Sequence, residues 1–162
     1  MPIPDFVLSL RAKVGTDLLW MPGVSAVVVG ADWRLLLGRR ADNGLWAVVS
    51  GILEPGEQPA HAVVREVLEE TGVHVRVDGL ASFYSDARTI VYGNGDRAQY
   101  LDLTFACTAV GGEALVGDDE STDVGWFAPD ALPAPLAPSS RARIAHAEEY
   151  RANPAAGPSF AR

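Results

Sequence analysis

A chain of 162 residues, 48% hydrophobic and 21% charged, has the length and apolar content of one domain with one real core. Its formal net charge of −8 repels nucleic acid and anionic membranes, so neither a nucleic-acid polymer nor a membrane is expected as a partner; a phosphate-bearing ligand is repelled too unless bound cations reverse the local field. A single cysteine, Cys107, excludes an intrachain disulfide and a cysteine-based metal site, no apolar run reaches the length of a membrane span, and the first residues carry no signal-peptide pattern; a reducing cytoplasm is the expected compartment.

In chain order, Phe6, Val7, Leu10 and Val14 recur at near-helical spacing and predict a short helix over residues 4–14, ended by Gly15. A β-branched run predicts a buried central strand over 24–30, followed by strands over 33–39 and 45–50 with a loop at 41–44. After the turn Glu54-Pro55-Gly56-Glu57 a helix is expected over Pro59–Thr71, with Pro59 in its first turn and Gly72 as its C-terminal cap. Strands are expected over 73–84, 87–92 and 99–110, the last two joined by a hairpin at Gly93-Asn94-Gly95-Asp96, and over 124–127 after an acidic loop. Pro133, Pro135 and Pro138 mark a stiff connector, after which Ser139 or Ser140 can cap a last helix ending near Ala152. The expected organisation is an N-terminal helix (1–16), a central domain (17–131), a Pro-rich connector with a C-terminal helix (132–152) and a flexible tail (153–162). Strands on both sides of one strong helix predict a mixed sheet packed with helices, an α/β or α+β sandwich.

Within the 59–71 helix, Ala60, Val63, Val64, Val67, Leu68 and Thr71 fall on one stripe, expected to be buried. Glu66, Glu69 and Glu70 gather on the other side within an arc of about 100°. Like charges at these spacings cost roughly 0.2–0.5 kcal/mol per pair, and the negative end of the helix dipole adds to that. A face built for solubility interleaves lysines, whereas here the nearby cation is Arg65, four residues before Glu69. A solvated acidic face tolerates the repulsion; a divalent cation turns it into attraction, and carboxylate oxygens suit hard Mg²⁺, which shares itself with substrate phosphate. Spacing alone leaves both readings open.

The neighbouring residues decide between them. From Gly51 the chain reads Gly51, five residues, Glu57, seven residues, then Arg65-Glu66-Val67-Leu68-Glu69-Glu70-Thr71-Gly72-Val73. This resembles the Nudix box of the Nudix hydrolase family, G-x5-E-x7-R-E-U-x-E-E-x-G-U with U aliphatic, at every specified position. At ordinary residue frequencies a chance match in a chain this long is roughly one in ten million. The flanking strand pattern is similar to the family's over about residues 20–130. The resemblance implies an α/β/α sandwich with a mixed β-sheet and one catalytic box helix. It implies Mg²⁺, with Mn²⁺ as a substitute, and attack by water on phosphorus in a small-molecule nucleotide or other diphosphate.

Carried over residue by residue, the resemblance makes Glu66 and Glu70 direct metal ligands and Glu69 a ligand or a group acting through water. It makes Arg65 the residue that orients a glutamate, Glu57 a brace of the box or a group that positions water, and the backbone carbonyl of Ser50 or Gly51 a further metal oxygen. Many members read Pro-Gly-Gly into the box; here Ser50 stands at the first glycine, which leaves the carbonyl available. A late ligand or base is expected from the loop Asp118-Asp119-Glu120, with Glu120 the choice, against an ordinary solvated acidic loop. The acceptor of the water's proton is Glu69, Glu57 or Glu120. Arg39 and Arg40 are candidates to clamp a phosphate and Trp46 to stack on a base, although a core role is the commoner fate of such a tryptophan. Arg88, Tyr92 and Arg97 flank the hairpin and are further candidates to reach a ligand. His61 reads as a packing residue, His74 and His146 are isolated, and Cys107 reads as a buried hydrophobe. The runner-up is a catalytically silent nucleotide-binding or regulatory domain, against which the intact box argues. Isomerisation of a diphosphate needs a reactive cysteine, which a buried Cys107 does not supply. A homodimer is a frequent family trait that no residue pattern here decides.

Overall fold

The computed structural model describes residues 3–160. In chain order it contains α1 (Asp5–Val14), β1 (Leu18–Val29), β2 (Leu35–Arg40), β3 (Trp46–Ala47), β4 (Val49–Ile52), α2 (Pro59–Thr71), β5 (Val73–Ser85), β6 (Ile90–Val91), β7 (Arg97–Gly112), β8 (Ser121–Phe127), α3 (Pro138–Ala152) and a 3-10 turn at Pro154–Ala156. The strands form one sheet in the order β3-β2-β1-β7-β5, with β4 also paired to β1, β6 to β7 and β8 to β2. β1 and β7 run parallel from Leu18↔Arg97 to Val29↔Thr108, and the other pairings are antiparallel, so the sheet is mixed.

Alternation along β1 sends its side chains to two layers. Val24, Ala26 and Val28 pack beneath α2 with Val63, Val67 and Phe105. Val27 and Val29 pack beneath α3 with Ile144 and Ala147, and Met21 and Ala98 on that same side meet Val7 of α1. The result is the expected α/β/α sandwich. Cys107 is fully buried in the α2 layer, and burial pushes its thiol up to about 12.

The bounds of α2 follow from local chemistry: Pro59 sits in the first turn and Gly72, left-handed at φ 68°, returns its N–H to the Leu68 carbonyl. Its rotation does not follow the expected stripe. Val64 and Leu68 are 36% and 40% exposed, while Glu66 and Glu70 are buried beside Val63 and Val67. The reason lies on β4: a Cβ at Gly51 would overlap the Glu66 carboxyl, so the missing side chain opens the gap over which the helix settles.

Other departures have similar causes. β1 begins at Leu18 because its parallel partner β7 reaches back to Arg97. Trp33 takes a left-handed φ of 63° in the turn before β2, which therefore starts at Leu35. The 45–50 strand divides at Val48, because β3 pairs with β2 and β4 with β1. The freed Val48 N–H donates to Ser140 Oγ, and α3 starts instead from Ala137 with Pro138 in its first turn. Only Ile90–Val91 of the 87–92 strand forms, since Asp86 and Arg88 close a turn through a side-chain to backbone bond. β8 begins at Ser121, three residues before the expected start. Residues 153–160 do more than trail away: Ser159 exchanges backbone bonds with Ala81 and Phe83 on the β5 edge, and Phe160 stacks on Phe83. Residues 161 and 162 of the expected tail lie outside the described residues.

Candidate functional site

β4, the turn after it and α2 assemble the site. Arg65 lies at its centre: Nε donates to Glu57 Oε1 at 2.8 Å, Nη2 to Glu57 Oε2 at 2.9 Å and Nη1 to Glu66 Oε1 at 2.9 Å. Weaker bonds run from Nη1 to Glu69 at 3.2 Å and from Nη2 to the Ile52 carbonyl at 3.4 Å. One guanidinium therefore joins the turn, β4 and three of the four box glutamates. Its pKa rises, chiefly through Glu57, and the Glu57 carboxyl is held below the usual carboxylate range by the same bond.

Glu66 is 1% exposed, and its second oxygen, Oε2, is buried without a hydrogen-bond partner among the described residues. Burial pushes its pKa up to about 7 against the opposing pull of Arg65. Glu70, also buried, rises to about 9, first through burial and then through Glu66, Glu120 and Asp118, with Arg40 opposing. Two neighbouring carboxylates inside one protein wall are thus held in an environment that disfavours their charge.

Beside Glu70 lies a small cavity of about 20 Å³, room for one water-sized occupant, lined among others by Arg40, Ser50, Glu70, Glu120 and Ser121. The structure brings Glu120 here from the β8 side, where its carbonyl accepts from Ala41 N–H and its N–H donates to Asp118 Oδ1. Arg40 reaches the cavity while held on both oxygens of Asp42, at 2.9 and 2.7 Å. Arg39 and Trp46 do not arrive. Arg39 is exposed and reaches Gly44 O, and Trp46 stands edge-on to Phe127 at 4.8 Å in the α3 core. Arg88 pairs with Asp86, and Arg97 pairs with Asp17.

Among the described residues, no three His, Cys, Asp or Glu side chains stand close enough together to hold a metal ion. Arg65 draws Glu57 and Glu69 to itself. What fits a divalent cation is the hard-oxygen set: the orphaned Glu66 oxygen, Glu70, and the peptide of the side-chainless Gly51 that packs against Glu66.

Comparison with known proteins places the chain in a family. The NUDIX domain model matches residues 19–147. The chain belongs to the Nudix hydrolase family. It is similar to a "MutT-like protein" of Streptomyces ambofaciens, 45% identical over 109 residues, 67% of this chain and 64% of the relative's length. It is also similar to the NAD-capped RNA hydrolase NudC of Pseudomonas aeruginosa, 35% identical over 77% of this chain and 41% of that one. The chain thus spans less than two thirds of either relative. Among solved structures, the MutT NUDIX hydrolase of Burkholderia pseudomallei superposes with a TM-score of 0.66 at 29% identity, covering 79% of this chain and 98% of that one. Further relatives are named as an ADP-ribose pyrophosphatase and a nucleoside triphosphatase. One relative's name includes RNA, so the expectation against a nucleic-acid polymer rests on net charge alone. No helix of the described residues is long and apolar enough to cross a membrane.

Sequence reasoning missed Asp42 as the partner of Arg40, and it missed a polar cluster around Asp102 on the other face of the sheet. A charged residue between Leu101 and Leu103 in a strand was the signal for the second, since such a group needs a buried partner.

Proposed function

We propose that this Nudix-type hydrolase cleaves the diphosphate bond of a nucleoside diphosphate linked to another moiety, with Mg²⁺ as its metal and water attacking phosphorus. The observation that supports this most is the Glu66 carboxylate, 1% exposed with an unpartnered oxygen beside a second buried carboxylate. A buried acceptor left unpaired costs about 1–3 kcal/mol, and more when charged, so a fold keeps one where a ligand completes it. Glu66, Glu70 and the peptide oxygens of Ser50 and Gly51 are the groups to hold the cation. When bound, a divalent cation neutralises charge on the diphosphate and lowers the pKa of a coordinated water.

The chain's own side chains divide the remaining work. Arg65 fixes the Glu66 carboxyl through Oε1, and Glu57 holds Arg65 on two bonds. A carboxylate so committed is the poorest proton acceptor of the three candidates. Glu69 makes one longer bond and is 47% exposed, and Glu120 lines the cavity next to Glu70, which favours these two as acceptors of the water's proton. Arg40 turns a phosphate-binding guanidinium into the cavity once the phosphate replaces Asp42 on it. A silent binding domain has less in its favour, because the box glutamates are complete. The isomerase alternative fails on Cys107, which is buried and pushed up to about 12. The single cysteine also supports a reducing cytoplasm.

The test is a Mg²⁺-supported panel of ADP-ribose, nucleoside triphosphates, nucleoside diphosphate sugars, dinucleoside polyphosphates and NADH, scored by product mass. Cleavage between two phosphorus atoms that disappears in both Glu66→Gln and Glu70→Gln is the expected result. Wild-type rates in both variants refute the metal-ligand assignment.

A further inference from the structure

The segment that links β7 to β8 is tied down at both of its ends. A helix leaves its last carbonyls without helical partners. Two of those on α2 find partners here: the Thr71 carbonyl accepts from Leu115 N–H at 3.0 Å and the Glu70 carbonyl from Gly117 N–H at 2.9 Å. At the far end the Glu120 carbonyl accepts from Ala41 N–H at 2.8 Å, and Ser121 then enters β8 opposite Arg40 of β2. Between the anchors, Glu120 N–H donates to Asp118 Oδ1 at 3.0 Å and tightens the turn. Asp118, Asp119 and Glu120 therefore form a bridge from the box helix to β2, and Glu120 on that bridge lines the cavity beside Glu70.

The bridge leaves the helix at Gly117, and contact sets the identity of that residue. A Cβ there would fall on the Glu69 carbonyl oxygen and stand 3.0 Å from the carbonyl carbons of Glu69 and Glu70. The atoms in its way are helix backbone, which cannot swing aside as the end of a side chain can. Residue 117 thus lies flat on the peptides of two box glutamates, and any side chain would lift it off together with the start of the bridge.

An acidic bridge in this place is not explained by solvation. The Glu120 carboxylate and the buried Glu70 carboxylate share one small cavity, and like charges so placed repel. The backbone anchors hold the bridge against that repulsion, and a cation in the box would turn the repulsion into attraction.

We propose that Gly117 is a positioning residue of the metal site: lying flat on the last turn of α2, it fixes where the bridge crosses and so keeps the Glu120 carboxylate at the box. The inference rests on reading the box as a divalent-metal site. Binding of Mn²⁺ alone to the full chain, followed by the loss of the free-ion EPR signal, tests it. In Gly117→Ala and in Glu120→Gln the affinity falls about tenfold, the scale for losing an outer support of a metal site. The double variant falls no further than Glu120→Gln, because Gly117 acts through that carboxylate. A role confined to finishing the helix predicts unmoved affinity in Gly117→Ala, or losses that multiply in the double variant; either result overturns the proposal, as does unmoved affinity in Glu120→Gln. A second measurement decides the case in which Gly117→Ala does not fold. By reciprocity, an anchor that strengthens cation binding is itself strengthened by the cation. Exchange of the Gly117 amide hydrogen, taken relative to that of Gly15 at the end of α1, slows about tenfold under saturating Mg²⁺ in the wild type and is unchanged in Glu120→Gln. No slowing in the wild type, or equal slowing in both proteins, overturns the proposal. Mn²⁺ binding that Glu66→Gln abolishes reports the metal reading alone. Its absence from the wild type removes that reading and this inference together, whereas its presence beside unmoved affinity in Gly117→Ala removes this inference only.

Discussion

On the α2 side of the sheet, one guanidinium, Arg65, meets Glu57, Glu66 and Glu69, and a carboxylate oxygen is left over. On the α3 side, one carboxylate, Asp102, meets a guanidinium and two hydroxyls, and half of the guanidinium is left over. The two arginine–carboxylate sites are built from the same groups in opposite proportion. Surplus acceptors call for a cation, and the two remainders lie on opposite faces of the sheet.

The largest effect that can break the comparison lies on the acceptor side. Glu66→Gln and Glu70→Gln keep shape and remove charge, and each is expected to lower turnover by about 10²–10³-fold, the scale for losing one electrostatic contact to the reacting groups. Initial rates under saturating Mg²⁺ check this. Gly51→Ala follows at about 10–100-fold, the scale of displaced metal support. Its Cβ falls on the Glu66 carboxyl, which must leave the gap while the backbone stays, so Mg²⁺ should lose much of its protective effect on thermal unfolding. Equal Mg²⁺ protection in wild type and Gly51→Ala removes Glu66 from the metal's ligands.

A pH series on chelated protein sharpens the same side. Glu66 and Glu70 stand near 7 and near 9, both above the ordinary 4.5, so the folded state holds their protons more tightly than the unfolded chain. Their contribution to stability is complete below pH 4.5 and is lost as pH rises through about 7 and then about 9. Glu57 and Asp78 shift downward, so their losses fall below that window. The melting temperature of the metal-free protein should drop by several degrees between about pH 5 and 9, and saturating Mg²⁺ should flatten the slope. A flat profile without metal means that the two carboxylates are solvated.

How much of this was visible in the order of residues depends on how local the cause is. The ends of α2 were legible because Pro59 and Gly72 act within one turn. The glutamates were legible as a set, because their spacing and Arg65 lie in one helix. Their burial was not: a helical wheel sends carboxylates outward, and the gap that draws Glu66 inward belongs to Gly51 on another strand. Arg40 and Arg39 are neighbours in sequence, yet alternation on β2 sends only Arg40 to the cavity. The pairing of Asp102 with Arg143 spans 41 positions, and its only local trace is a charge set between two leucines.

The smallest prediction tests the rotation of α2 itself. Were Val64 and Leu68 the core stripe, Leu68→Lys would bury an unpaired ammonium, a change of several kcal/mol. With Leu68 40% exposed, the lysine stem lies along the helix surface and its charge reaches water, so the cost is within about 0.5 kcal/mol. Val67, wholly buried one position earlier, responds differently: Val67→Ala removes two methyl groups from beneath the helix and costs about 2 kcal/mol with the cavity included. Urea unfolding of the two variants ranks them directly. A Leu68→Lys loss equal to or above that of Val67→Ala rotates the helix back to the apolar stripe, turns Glu66 out of the Gly51 gap, and takes with it the surplus acceptor on which the metal assignment stands.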